Sequence, residues 1–410
     1  MTCKVQRFLG IRLRGTLQAT ICIVGLVPAF LGSASHAQTF TVLHVFTGGS
    51  DGGQPYLGHL ALDKKGNLRG NAAGGGDTIC NPPYGCGVIF KLHPSGKETV
   101  SYTFTGPDGA EPYLGTVVDA TGNTYGITEY GGSGACGGGM GPSGCGTVFK
   151  QERNGKETVL YSFAGSPDGS IPGPGLIRDA AGNLYGTTEL GGTSADGTVF
   201  KVDPTGKETV LHSFSGTDGK FPIAGLVRDR VGNLYGTTLM GGAFGNGTVF
   251  KVDTTGKESV LHSFADGTTD GQDPFAGLVL SAAGNLYGTT VFGGAFGYGT
   301  VFRVNRHTGA EKVLYSFAGA STDGSDPYAE LVMDTAGNLY GTTWNGGAFS
   351  AGTIFKLNTT THQETVLHSF TGTDGKLIYG ALVRDAAGNL YGTALAGGTF
   401  DYGTVFRLTP

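Results

Sequence analysis

Tryptophan occurs once in this 410-residue chain, methionine four times, and charged residues make up only 14%. Past residue 37 there is no apolar run long enough to span a bilayer. No stretch carries the 3.6-residue apolar period of a surface helix, which excludes helical bundles and doubly wound α/β folds. Positive charge is scarce as well. Removing the first 37 residues takes away Lys4, Arg7, Arg12 and Arg14 and no acidic residue, leaving 23 basic groups against 32 acidic ones. A partner such as nucleic acid or an anionic membrane calls for the opposite sign, so neither is expected. No P-loop, G-x-S-x-G elbow, H-E-x-x-H or dinucleotide fingerprint occurs in the structural setting each requires.

The first 37 residues stand apart. The four basic residues precede an apolar stretch from Leu17 to Leu31, and Ser35-His36-Ala37 places small residues where a signal peptidase reads. That layout predicts a signal peptide over 1–37, cleaved after Ala37. The mature chain is then soluble, without membrane insertion, and secreted, periplasmic or held at the cell surface.

Glycine is abundant, at 77 residues, and it recurs at fixed places between β-rich runs. Gly-Asn, followed by Leu in six copies and by Thr124 in the second, appears at Gly66, Gly122, Gly182, Gly232, Gly284, Gly337 and Gly388, at spacings of 50 to 60 residues. Such a period is the mark of a repeat architecture. In one copy, short runs at Leu226–Asp229, Leu234–Thr238, Gly247–Val252 and Glu258–Phe264 are separated by turn residues. Four strands per repeat, needing cover on both faces, predict radially stacked antiparallel sheets.

The ends of the mature chain predict closure. Residues 39–46 match a fourth strand, whereas the last repeat stops at a third strand, Gly403 to Leu408. Residues 38–410 should therefore form an all-β, seven-bladed propeller, the last blade closed by the N-terminal strand. An open solenoid has no use for the offset.

The pattern G-L-V-x-D-x-x-G-N-L-Y-G-T-T, then a Gly-Gly loop, then G-T-V-F-K, resembles the bacterial GloVer tandem repeat of exported proteins with assorted anchors. The half-motif around D-x-x-G-N is also similar to the NHL-type propeller repeat. The resemblance implies a surface or secreted location and brings no assigned activity.

Several recurring residues invite chemistry. Asp63, Asp119, Asp179, Asp229, Asp334 and Asp385 precede the Gly-Asn glycines by three, with Ser281 in the fifth copy. The Ser replacement favours Asx turns over a ring of metal ligands. Asp51, Asp108, Asp168, Asp218, Asp270, Asp323 and Asp374 open Asp-Gly or nearby turns in the blade crossovers. Each turn offers one carboxylate, too few for calcium by itself. His44, His212, His262 and His368 share a register with Tyr102, Tyr161 and Tyr315, which reads as packing with a polar tip. Neither a metal nor a cofactor is expected.

Five repeats count 14 residues from the Gly-Asn asparagine to the glycine opening the third strand. The first two count 20 and 23, and they alone hold Cys80 with Cys86 and Cys136 with Cys145. Insertion and cysteine pair arrive together, which predicts a local disulfide in each long loop. A shared zinc site lacks the expected spacing.

The repeats disagree most after the second strand, at Asn71, Glu129-Tyr130, Glu189, Leu239-Met240, Val291-Phe292, Trp344-Asn345 and Leu395. Beyond the Gly-Gly pairs stand Phe244, Phe296, Tyr298, Phe349, Phe400 and Tyr402. The candidate binding residues are Trp344, Asn345, Phe292, Tyr130, Glu129 and Glu189, suited to a glycan or a protein. The plainer account has these aromatics filling gaps between blades. The leading expectation is a monomeric, non-catalytic binding module. The alternatives are an extracellular glycan- or lactone-acting enzyme using Glu129 and Glu189 near the channel, and a structural envelope component.

Overall fold

The computed structural model describes residues 38–56, 59–112, 117–136, 142–265 and 267–410. The signal peptide read at 1–37 lies outside them. Seven four-stranded antiparallel sheets follow one another in chain order around a ring. In blade 4 the strands are Val227–Arg228, Leu234–Thr238, Thr248–Val252 and Glu258–Ser263. Blade 7 takes Val383–Arg384, Leu390–Ala394 and Thr404–Thr409 from the end of the chain and Thr39–Val45 from the beginning. Thr39 pairs with Thr409 and Val45 with Thr404, so the N-terminal strand completes the last sheet.

A phenylalanine system ties the blades together. The residue directly following each fourth strand is a fully buried Phe: Phe46, Phe104, Phe163, Phe214, Phe264, Phe317 and Phe370. Each meets, edge to face, a third-strand Phe of the following blade at 5.0 to 5.3 Å between centroids. The Phe46–Phe90 pair spans the junction between the last blade and the first. Edge-to-face packing suits the ring quadrupoles and adds roughly 0.5–1.5 kcal/mol per pair beyond burial.

The second-strand glycine exists for these rings. Gly236 lies opposite Phe250 in the ladder, and a Cβ there would sit 2.7 Å from Phe250 Cζ. The Gly of each L-Y-G-T-T run is therefore a packing residue. A further regularity is a break in pairing between the third and fourth strands of every blade; in blade 4 Leu261 is left unpaired, between Val260 opposite Phe250 and His262 opposite Val249. That bulge re-aims the side chain that follows it, the His or Tyr of the shared register.

Both predicted disulfides are present, Cys80–Cys86 and Cys136–Cys145, with Cα separations of 5.7 and 5.0 Å. Bridges of this kind persist in oxidising compartments.

Candidate functional site

The Asp before each Gly-Asn glycine is a turn residue. Asp229 Oδ1 accepts hydrogen bonds from the backbone N–H of Val231, Gly232 and Asn233, while Oδ2 accepts from Asn233 Nδ2 and the Tyr235 hydroxyl. In blade 5, Ser281 Oγ still accepts from the Asn285 N–H. The substitution keeps one bond of the set.

The crossover aspartates do something the sequence reading split in two. His212 Nε2 lies 3.0 Å from Asp218, and the Tyr161 and Tyr315 hydroxyls donate to Asp168 and Asp323 at 2.8 and 3.0 Å. The second function of these carboxylates is to cap the crossover backbone, as Asp218 does for the Ser215 N–H. The His/Tyr register and the Asp-Gly series are thus one motif, a polar tip held by its own crossover.

A third member comes from the next blade. Glu98, Glu157, Glu208, Glu258, Glu311 and Glu364 head fourth strands, and each leaves one buried carboxyl oxygen without a hydrogen-bond partner. Burial first, and then the neighbouring crossover Asp, push each up to about 7. His212, Asp218 and Glu258 converge, as do His262, Asp270 and Glu311. The copies with tyrosine keep the same buried glutamate, so the arrangement does not depend on an imidazole ligand. Its recurrent head-of-strand Glu was the overlooked signal in the sequence. At the closure Phe40 takes the Glu position and stacks on His368 at 3.8 Å.

The loop-rich face rests on a second ladder. In all seven blades the crossover pairs antiparallel with the segment following the second strand, as in Ala110 with Tyr130, Gln272 with Phe292 and Ser325 with Asn345. One residue in each crossover adopts a left-handed conformation although it is not glycine: Gln54, Glu111, Ile171, Phe221, Asp273, Asp326 and Leu377, at φ 53° to 58°. For branched or bulky side chains this is strained, by about 1–3 kcal/mol each. The strain is held from both sides. Phe221 N–H donates to Asp196 O of the preceding blade at 2.9 Å, and its carbonyl accepts from Leu239 N–H at 3.0 Å.

These clamps position the innermost residues. Glu129 and Glu189 come together on one cavity of about 230 Å³, walled by Ile171, Pro172, Gly173, Pro174, Ile223, Leu239, Phe275 and Tyr56. Its lining includes no Lys, Arg or His among the described residues. Burial pushes Glu129 up to about 7; a bond from Tyr130 opposes this, and Glu111 and Glu189 add to it. Burial raises Glu189 also. Tyr56 continues into an aromatic cluster, 4.7 Å from Tyr379, which lies 5.0 Å from Tyr328 and 6.1 Å from Trp344. Across the axis, His59 Nε2 is 3.6 Å from Glu330 Oε2, and a Cβ on Gly277 would be 3.0 Å from that same oxygen. Blades 1, 5 and 6 therefore meet there.

The other expected residues are distributed over the face. Trp344 is half-buried in the aromatic cluster, its Nε1 buried without a partner. Asn345 Nδ2 donates to Asp326 at 2.9 Å. Phe292 is 42% exposed beside Phe296, over Gln272 and Gly294. Asn71 does not belong to this set: it is buried within the strand Leu68–Ala72, opposite Ile89, and the blade 1 counterpart of Glu129 is Ala73. The sequence alone could have shown this, since Glu129 and Glu189 stand six residues past the Gly-Asn asparagine and Asn71 only four.

Farther out, the aromatics do not fill gaps between blades. Phe244, Phe296, Phe349 and Phe400 are 54 to 64% exposed at the same loop position of four consecutive blades. Tyr298 and Tyr402 are 48% and 43% exposed, one edge of each lying over Gly319 and Gly48.

A family model described as the Gloeobacter/Verrucomicrobia repeat matches residues 138–332 and 232–410. No curated protein matches the sequence. Among solved structures, the extracellular domain of a putative one-component system from B. thetaiotaomicron is similar at 11% identity and a TM-score of 0.55, over 90% of this chain and 40% of that one. A Mycobacterium tuberculosis puromycin-hydrolyzing peptidase is similar at 11% identity and a TM-score of 0.54, over 90% of this chain and 54% of that one. At such identities the likeness is one of fold.

Proposed function

The chain belongs to the Gloeobacter/Verrucomicrobia repeat family, and from that premise we propose that it is an exported, non-catalytic binding module that takes an extended glycan across its loop-rich face. The observation that carries this reading is the arc of exposed Phe244, Phe296, Phe349 and Phe400 on successive blades. Large aromatics exposed in series on a rigid scaffold mark an interaction surface. Rings supply flat apolar area for the C–H faces of sugars, and the glycine-rich backbone between them offers polar groups to hydroxyls. Spacing of one ring per blade fits a ligand that itself repeats. Export is supported by the layout of residues 1–37 together with the two disulfides.

A glycan array followed by affinity electrophoresis tests the proposal. Binding should fall at least tenfold in the double variant Phe296→Ala, Phe349→Ala and persist in Glu129→Gln. No retained polysaccharide, or retention indifferent to the double variant, refutes it. A second reading has its own observation, since Glu129 and Glu189 share a cavity as an acid/base pair would. Hydrolysis of a glycan or lactone by the native chain, abolished by Glu129→Gln, would establish that reading instead.

A further inference from the structure

The cavity between Glu129 and Glu189 is too small for a glycan chain and is chemically unlike the exposed arc. We infer that it is a binding site for a small organic cation, an alkylammonium group. The charge would lie between the two carboxyls and the apolar body against Phe275, Tyr56 and the Pro172–Pro174 segment.

Three observations converge on this. The first is sign. Beyond the two lining glutamates, Glu111 acts on Glu129, and Asp273 and Asp326 both act on the neighbouring Tyr328. The lining offers no cation among the described residues. The His59 imidazole is engaged with Glu330. Carboxyls held in an apolar wall without a counter-ion are costly in their charged form. An occupant that brings positive charge removes that cost.

The second observation is the wall itself. Ring faces attract cations through their quadrupole, and ammonium groups are recognised by combinations of aromatic faces and carboxylates. Phe275 and Tyr56 line the same cavity as Glu129 and Glu189, and Tyr328 and Tyr379, in ring contact with them, extend the aromatic surface. A metal ion needs several oxygens converging at close range. Two carboxyls among proline, isoleucine, leucine and phenylalanine do not furnish that shell.

The third is size. A cavity of about 230 Å³ far exceeds the ~10–15 Å³ that one water occupies, and a void of ~150 Å³ already admits a benzene-sized molecule. A compact ammonium compound fits, whereas an oligosaccharide does not.

Calorimetric titration of the exported chain with tetramethylammonium chloride tests the inference, with tert-butanol as the uncharged analogue of similar shape and calcium chloride as the metal arm. Tetramethylammonium should saturate one site and bind at least tenfold more tightly than tert-butanol. Near pH 6 its binding should release protons, seen as an enthalpy that depends on the buffer, because Glu129 must ionise beside Glu189, Glu111, Tyr130 and Tyr56. Glu129→Gln with Glu189→Gln should abolish binding, and Phe275→Ala should weaken it several-fold without loss of either charge. Phe296→Ala with Phe349→Ala should leave it unchanged, which separates this site from the glycan surface. No saturable ammonium binding, equal affinity for tert-butanol, or calcium binding lost with the two glutamates would each overturn it.

Discussion

Single residues carry the repeat in ways that their chemistry makes testable. Gly236 lies inside the strand Leu234–Thr238, where a Cβ would press on Phe250 at 2.7 Å and on Leu226 at 2.9 Å. Gly236→Ala should therefore destabilise by about 1–3 kcal/mol through overpacking, read from urea denaturation. Asp229 offers a finer gradation. It holds three backbone N–H groups, Asn233, Tyr235 and Arg306. Asp229→Ala leaves the turn donors unmet and should cost about 2–3 kcal/mol, while Asp229→Ser should cost less because blade 5 folds with Ser281 there. Equal losses in both variants would show that the turn is not held by the side-chain oxygen. The Asx reading was available from residue type alone. The left-handed crossover position was not, because Gln, Glu, Ile, Phe, Asp and Leu all occupy it. That conformation is imposed by hydrogen bonds from two blades.

Between elements, the decisive groups are those that one strand presents to the next blade. Six glutamates face crossover aspartates and are raised to about 7. A carboxyl raised above its unfolded value favours the fold fully below that value, near 4.5, and the benefit is lost as pH rises through about 7. His44, lowered by burial despite Asp51, works in the opposite direction by one group. Asp270 and Asp374 are also buried, yet they lie below the usual carboxylate value because His262 and His368 and backbone N–H groups hold their charged forms. Their contribution is lost only when pH falls through those depressed values. The thermal midpoint should thus be higher near pH 5.5 than near pH 8.5, and each Glu→Gln replacement, such as Glu258→Gln, should reduce the difference. A midpoint that rises steadily toward pH 8.5 would contradict this account. The His/Tyr alternation was visible in the sequence, but its partner Glu lies a full repeat away. Only blade-on-blade packing brings the two together.

At the scale of the whole molecule, the ring depends on its closure. Residues 39–45 supply seven strand residues to the last sheet, and Phe46 supplies the ring that meets Phe90. Deleting 38–46 from a chain that starts at Gln38 exposes the edge of Thr404–Thr409 and removes a buried Phe, a change of about 3–5 kcal/mol for the ring alone. Circular dichroism and gel filtration should show loss of the compact folded chain. Moving the same segment to follow Pro410 should restore it. Rescue failing while the deletion stays folded would mean the ring does not need this strand.

The sequence by itself determined the number of blades, their four-strand content, the turn residues, the two disulfides and the offset that closes the ring. Each of these follows from residues near in the chain or from repetition, which local sterics and hydrogen bonding turn into structure. Tertiary structure alone decided what faces what: Glu129 with Glu189 on one cavity, Tyr56 beside Tyr379, His59 against Glu330, and the aromatic arc turned to solvent. Those neighbours come from different blades, and their meeting depends on the curvature of the closed ring, a property that no single repeat contains.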